Sequence, residues 1–367
     1  MKIGIDASRY KHAEATGVEW YSWHIINGLI EEITDSKEDE IVLYSKIPLN
    51  IGKKNVVNKL LAAKRLWTLR CLSKEMWQNP PDVLFVPSHT LPLNLPKKSV
   101  ITIHDVAFRH LKNVYSFSEY HHLNWSTKMA VKNGTKIIVP SQATKDDLIK
   151  FFACKPEKVV VIPHGFEKPK DVNEEEVMNN SDIFKYFGIN KETKYALFVG
   201  RLENKKNLVK LVEAFAKFSE NNPDYQLILA GKRGLGFEKI LKTVNKFKLA
   251  DKVIMPGYIT EEEKAVLYMN SKFFVFPSLY EGFGLPLLEA FYYGKAVLCS
   301  NNSSLPEVGG EAAHYINPQS AEEIAEGLGK LANDETYVND LVKKGSERLK
   351  LFNWKEAVKK TLWTIRE

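Results

Sequence analysis

The chain of 367 residues is roughly two to three times the commonest domain length, and 44% apolar with 26% charged residues is ordinary globular composition, so two cores are expected. No apolar run approaches the ~20 residues of a membrane span, and the three cysteines, Cys71, Cys154 and Cys299, are too few and too scattered for a disulfide framework or a cysteine metal knuckle. Charge is uneven, +8 over residues 1–170 and −1 over the remainder, which suggests an anionic partner for the front half. Zinc fingers, an RNA-recognition signature and an aromatic-interleaved basic stripe are all lacking, so a lipid surface or a phosphorylated substrate is expected rather than nucleic acid.

In chain order, the first residues read as a strand, Lys2–Ala7, running into a loop without the apolar core of a secretory leader. A cytoplasmic setting, at most peripheral at the inner face of a membrane, is therefore the expectation. Gly17, in Ala15-Thr16-Gly17-Val18-Glu19, opens an amphipathic helix reaching about Ile30. It is either a point where an anion nears the backbone or a plain strand-to-helix turn. Further strands are expected at Ile41–Tyr44, Val83–Val86, Val100–His104, Lys136–Val139 and Val159–Ile162, with helical segments between most of them, the pattern of parallel α/β units. Between the second and third, residues 53–77 hold seven basic side chains against Glu75 alone, with an apolar side including Leu60, Leu66, Trp67 and Leu72. Such a segment either lies on an anionic bilayer or is an ordinary helix packing its apolar side on the sheet. His104-Asp105 ends the fourth strand, where a neutral histidine can hydrogen-bond a sugar hydroxyl; a buried structural histidine is the alternative. Ser141 reads as the N-cap of a helix over 142–152.

Residues 167–192 lose periodicity and are read as a linker. The expected division is 1–170, a linker at 171–192, and a second domain at 193–351. Strands are expected near Tyr195–Val199, Gln226–Ala230, Lys252–Met255, Phe273–Phe276 and Ala296–Cys299. The fold expected is two doubly wound Rossmann-like domains facing across a cleft, with ligands at the carboxyl ends of strands.

Two loops stand out. Phe276-Pro277 is followed by Ser278-Leu279-Tyr280-Glu281-Gly282-Phe283-Gly284-Leu285-Pro286-Leu287-Leu288-Glu289, in which the glycines let the backbone approach a ligand and Pro286 marks the first turn of a helix. Helix-start N–H groups suit an anion, and two carboxylates, with Glu289 in the opening turn, suit vicinal hydroxyls. The plainer alternatives are a solvated Glu281 and a Glu289 that complements the helix dipole. In the other loop Gly200 ends a strand, and Arg201, Lys205 and Lys206 precede an amphipathic helix, a set of cations suited to a diphosphate. A solvated basic loop is the alternative, Lys205 being the weakest of the three.

These residues resemble the donor half of the large retaining glycosyltransferase family 4, of GT-B fold. The likeness rests on Gly200-Arg201 with Lys206-Asn207, on the acids Glu281 and Glu289 in their glycine-proline string, and on Ser304-Leu305-Pro306-Glu307-Val308. Phe352-Asn353-Trp354 and the last helix, 352–367, resemble the segment that crosses back to the front domain. The resemblance implies Arg201 and Lys206 on the donor diphosphate, Glu289 on the ribose, and Glu281 by the transferred sugar. It also implies backbone contacts from Gly282, Phe283, Gly284 and Leu285. Thr102 to Phe108 resembles members that transfer mannose, which places His104 and Asp105 on the substrate side. The family has a richer glycine loop where this chain has Gly17 alone.

The reaction implied is transfer of a hexose, mannose mildly preferred, from a GDP- or UDP-sugar to a glycan or lipid-linked acceptor. No cofactor is expected, and no metal, since fixed cations absorb the leaving charge and no Asp-x-Asp stands at a strand end. Front-face substitution, with the leaving phosphate oxygen taking the acceptor proton, is the expected route to retention. The competing readings are a GT-B-shaped nucleotide-sugar epimerase, a silent binding module, and a dinucleotide oxidoreductase, whose Gly-x-Gly-x-x-Gly neither glycine loop supplies.

Overall fold

A computed structural model describes residues 1–11, 17–34, 39–62, 66–168, 187–190 and 192–367. It divides into two compact units, Met1–Gly165 with Asn353–Glu367, and Phe166–Phe352. Ala15, Thr16 and most of the stretch expected as a linker lie outside the described residues.

The first unit is a parallel sheet of seven strands: β1 (Lys2–Asp6), β2 (Glu40–Ser45), β3 (Val56–Leu60), β4 (Val83–Val86), β5 (Lys98–Thr102), β6 (Lys136–Val139) and β7 (Val159–Val161). Their order is β3-β2-β1-β4-β5-β6-β7, so the chain reverses its direction of growth between β1 and β4. The inner strands read as continuous apolar runs because helices cover both faces. Ile3, Ile5, Val83 and Phe85 are fully buried, as are Ile25, Ile26 and Leu29 of helix Gly17–Thr34. The last helix, Trp354–Arg366, adds Ala357, Val358, Leu362 and Ile365 to the same core. Gly28 makes that possible: a Cβ there would lie 2.3 Å from Val358 Cγ2. Ser141 caps helix Gln142–Phe152, accepting the Thr144 N–H.

Residues 53–77 are not one amphipathic segment. Val56–Leu60 is the edge strand β3, paired in parallel from Ile41↔Val56 to Ser45↔Leu60. Its β-branched pair and extended pairing override the helical spacing of the leucines. Described helical turns begin at Trp67, where Trp67, Leu72 and Met76 turn inward, and Lys59 pairs with buried Glu75 at 2.5 Å. Leu60, Leu66 and Trp77 remain exposed.

The second unit has six parallel strands: β8 (Lys194–Val199), β9 (Tyr225–Ala230), β10 (Val253–Gly257), β11 (Phe273–Phe276), β12 (Ala296–Ser300) and β13 (Ala313–Ile316), ordered β10-β9-β8-β11-β12-β13. Here the reversal falls between β8 and β11, and the crevice beyond the carboxyl ends of those two strands is where such a sheet receives ligands. Both loops singled out in the sequence leave the sheet at that point. No described helix is long and apolar enough to cross a membrane.

Candidate active site

In the second unit β8 ends at Val199 and Gly200 follows with φ +154°, starting the turn that carries Arg201, Lys205 and Lys206. Beside it, β11 ends at Phe276 and the loop from Pro277 to Gly284 begins. The two loops are stitched together by the Leu279 N–H, which donates to the Lys205 carbonyl at 2.9 Å. Lys206 Nζ reaches Glu281 Oε1 at 2.5 Å, and Lys205 Nζ lies 3.9 Å from Oε2. Glu281 is therefore a buried carboxylate between two ammonium groups, not a solvated loop residue. Burial alone would raise its pKa, but the charges of Lys206 and then Lys205 outweigh it and hold the carboxyl below its usual range. Two cations to one anion leave positive charge in excess. Arg201 adds to it from an exposed position, with its Nε 3.9 Å from Glu203.

Gly282, Phe283 and Gly284 are buried alongside Glu281. Gly284 precedes helix Leu285–Tyr292 with φ +125°, and a Cβ on it would meet Leu305 Cδ2 at 2.9 Å, so the turn demands glycine. Leu285 and Pro286 form the first helical positions, as the proline signalled. Glu289 falls one residue beyond the opening turn, not within it, because the helix begins at Leu285. Its partners come from helix Glu261–Asn270: Lys264 Nζ lies 2.8 Å from Oε1, and the Tyr268 hydroxyl donates to Oε2 at 3.2 Å. Among the described contacts, then, Glu281 and Glu289 have separate cationic partners.

Three residues that hold this site were not singled out for such a role by the sequence. Ser304 Oγ lies 2.6 Å from the Phe283 carbonyl and 3.0 Å from that of Glu281, pinning the loop from below. Its signal was present in Ser304-Leu305-Pro306, a helix start, but nothing local linked it to Glu281. Lys264 and Tyr268, one turn apart on their helix, carry no local signal of the role; only tertiary structure sets them against Glu289.

The remaining candidates belong to the first unit. His104 lies two residues past β5 and is buried; its Nε2–H donates to the Pro87 carbonyl at 3.0 Å, at the end of β4. That bond places the proton of the neutral ring on Nε2. Burial, reinforced by neighbouring His89, lowers its pKa to about 3, so the ring is neutral at physiological pH. Asp105 Oδ1 accepts the Ala107 N–H at 2.9 Å, shaping the turn into helix Ala107–His110. Gly17 is exposed at the start of its helix, and a Cβ there meets no described atom within 4 Å, so crowding does not account for glycine at that position.

Two doubly wound parallel sheets, the second with a cationic crevice at its switch point, define the GT-B class of glycosyltransferases. Residues 17–168 match the family described as Glycosyltransferase Family 4, and residues 179–348 match Glycosyl transferases group 1. The chain thus belongs to the glycosyltransferases, a family 4 domain followed by a group 1 domain. It is 26% identical over 309 residues to an O-antigen chain mannosyltransferase B of Escherichia coli, covering 82% of this chain and 76% of that one. It is 28% identical over 296 residues to the serotype-specific mannosyltransferase WbdA of Escherichia coli; the match takes in 75% of this chain but only 35% of that longer protein. Among solved structures, sucrose-phosphate synthase of Thermosynechococcus elongatus superposes with a TM-score of 0.78 at 20% identity, over 100% of this chain and 98% of that one. Anabaena HepE in complex with UDP and glucose gives 0.72 at 15%, over 100% and 99%.

Proposed function

We propose that the chain is a retaining, metal-independent hexosyltransferase that moves mannose from a nucleotide diphosphate sugar to a glycan or lipid-linked acceptor. The observation that carries the reading is the Lys205–Lys206–Glu281 cluster at the reversal between β8 and β11, with exposed Arg201 beside it. Fixed ammonium and guanidinium groups neutralise a departing diphosphate without reorganising, which is the largest single contribution such a site can make. The excess of positive over negative charge here suits a dianionic leaving group. The names of the two Escherichia coli relatives support mannose, and the ligands of HepE support a nucleotide-sugar donor, here a GDP- or UDP-sugar.

In this reading Arg201 and Lys206 take the diphosphate, Glu289 the ribose hydroxyls and Glu281 the hydroxyls of the sugar, with Gly282, Phe283, Gly284 and Leu285 lending backbone contacts. His104 and Asp105 serve the acceptor side, the neutral His104 ring offering the Nδ1 lone pair to a hydroxyl; Gly17 lines the same approach. The acceptor oxygen bonds to the anomeric carbon on the face from which the carbon–phosphate-oxygen bond breaks, and the acceptor proton passes to the leaving phosphate oxygen. The enzyme acts at the cytoplasmic face of a membrane, with 53–77 as its peripheral contact.

Nucleotide release from GDP-mannose and from UDP-glucose, with and without a polyprenyl-diphosphate-linked glycan, tests the donor and the need for an acceptor. Release that needs no acceptor and yields an epimerised sugar overturns the transferase reading. An inverted product by NMR overturns retention, loss of turnover in EDTA overturns metal independence, and a glycosyl adduct on Glu281 by mass spectrometry overturns the front-face route.

A further inference from the structure

A carboxylate that binds a vicinal diol must present both oxygens at once, and so must not turn about the bond that carries it. Glu289 is held at both. Lys264 Nζ engages Oε1 at 2.8 Å and is also paired with Oε2 of the exposed Glu261 at 2.8 Å. The Tyr268 hydroxyl engages Oε2 at 3.2 Å from a fully buried ring stacked on Tyr293, with centroids 5.2 Å apart. Neither donor has freedom to follow a rotating carboxylate. Each carboxylate oxygen has room for about two hydrogen bonds, so one acceptor position remains on each. About a quarter of the Glu289 side chain is exposed, which leaves an edge open to a ligand.

We propose that Lys264 and Tyr268 are positioning residues that lock the plane of the Glu289 carboxylate, so that its two spare acceptor positions take the 2′- and 3′-hydroxyls of a donor ribose together. The proposal rests on the reading of Glu289 as the ribose ligand. Burial, with the Glu289 charge added to it, drives the Tyr268 phenol well above its ordinary pKa, so it stays a donor at any working pH. For Lys264, burial alone would favour the neutral amine, but the Glu289 and Glu261 charges outweigh it and keep it an ammonium. The function of the pair is therefore geometric selection of ribose over deoxyribose, which simple neutralisation of Glu289 does not supply.

The test is calorimetric binding of GDP, 2′-deoxy-GDP, UDP and 2′-deoxy-UDP to the full chain, using whichever base the unaltered protein prefers. The unaltered protein should favour the ribonucleotide by about tenfold, the worth of one hydrogen bond to a charged group. In Lys264→Met that preference should shrink to within about twofold, through loss of ribonucleotide affinity with the deoxy form little changed. Tyr268→Phe should lose about threefold, and Lys264→Arg should restore most of the preference. A merely structural role predicts a lower Tm with both nucleotides weakened by one factor, and that result overturns the proposal. Should Lys264→Met fail to fold by circular dichroism, Tyr268→Phe and Lys264→Arg carry the test. Glu289→Gln separates the two layers. If it abolishes the preference while the Lys264 and Tyr268 variants keep it, only the positioning role falls; if it too keeps the preference, the ribose reading of Glu289 falls and takes the proposal with it.

Discussion

An ammonium group beside a buried carboxylate has two effects on a transferase: it keeps the carboxylate ionised and it offers charge to an anionic ligand. Lys206, 2.5 Å from Glu281, has the first, and in the proposed reading it has the second on a diphosphate. Lys206→Ala should therefore lower kcat/KM for the donor by ~30- to 1000-fold, or about 2–4 kcal/mol of barrier. Lys206→Arg keeps the charge but not the compact geometry, and should fall between the two. Steady-state kinetics on the three proteins checks the order. The lost cation also leaves the buried Glu281 with Lys205, 3.9 Å away, as its one remaining described cation, so a drop in Tm should accompany Lys206→Ala. A rate loss under threefold would mean that Lys206 serves the carboxylate and not the ligand.

At the scale of elements, the close approach of the first and last helices is set by one hydrogen atom. Gly28→Ala gains helix propensity, worth about 1 kcal/mol, but its methyl would lie 2.3 Å from Val358, a short, buried and branched side chain that cannot swing aside. The clash should win, lowering stability by ~1–3 kcal/mol, and Val358→Ala in the same chain should recover part of the loss; thermal melts of the single and double variants decide it. A second element-level prediction concerns the strand ends at His104 and His164. Both rings are buried and both have pKa values pushed down by that burial, His104 to about 3 from 6.5 and His164 well below 6.5. The unfolded chain then binds protons that the folded one does not, so stability is complete above about pH 6.5 and is lost as the pH falls towards 3. His104 alone should cost about 2 kcal/mol by pH 5, and His104→Gln should flatten the acid limb of the Tm profile. What the sequence disclosed follows the same physics. Fully buried inner strands such as β1, β4 and β11 announce themselves as apolar runs, and the glycine and proline punctuation around Gly284 marks a strand-to-helix turn. Edge strands β3 and β13 are half-buried, with Asn58, Lys59 and His314 breaking their apolar pattern, so they left too faint a signal. Lys264, Tyr268 and Ser304 lie 21 to 25 positions from the acids they support, and only folding sets them there.

For the whole molecule, the deciding quantity is the distribution of charge between the halves. The excess of +8 in residues 1–170 is not spread evenly: Lys53, Lys54, Arg70 and Lys74 are exposed in one segment, together with Leu60, Leu66 and Trp77. The edge strand and the following helical turns bury Trp67, Leu72 and Met76 in the core, so the exposed side chains are those the core left unused. Cations near an anionic bilayer contribute about 1 kcal/mol each, and exposed apolar side chains among them add a weaker, salt-insensitive part. The chain should therefore sediment with vesicles rich in phosphatidylglycerol and stay in solution with phosphatidylcholine alone. Raising salt to about 0.5 M, where the Debye length falls to roughly 4 Å, should release most of it. The double variant Lys53→Glu with Lys54→Glu should weaken binding by roughly tenfold or more while leaving nucleotide release from a soluble donor unchanged, because both residues lie in the first unit and the cations proposed for the donor site in the second. Equal partition onto both kinds of vesicle, or binding that resists salt, would assign the exposed leucines and Trp77 rather than the charge as the contact. Partition onto neither would leave the excess positive charge to the acceptor's own phosphates.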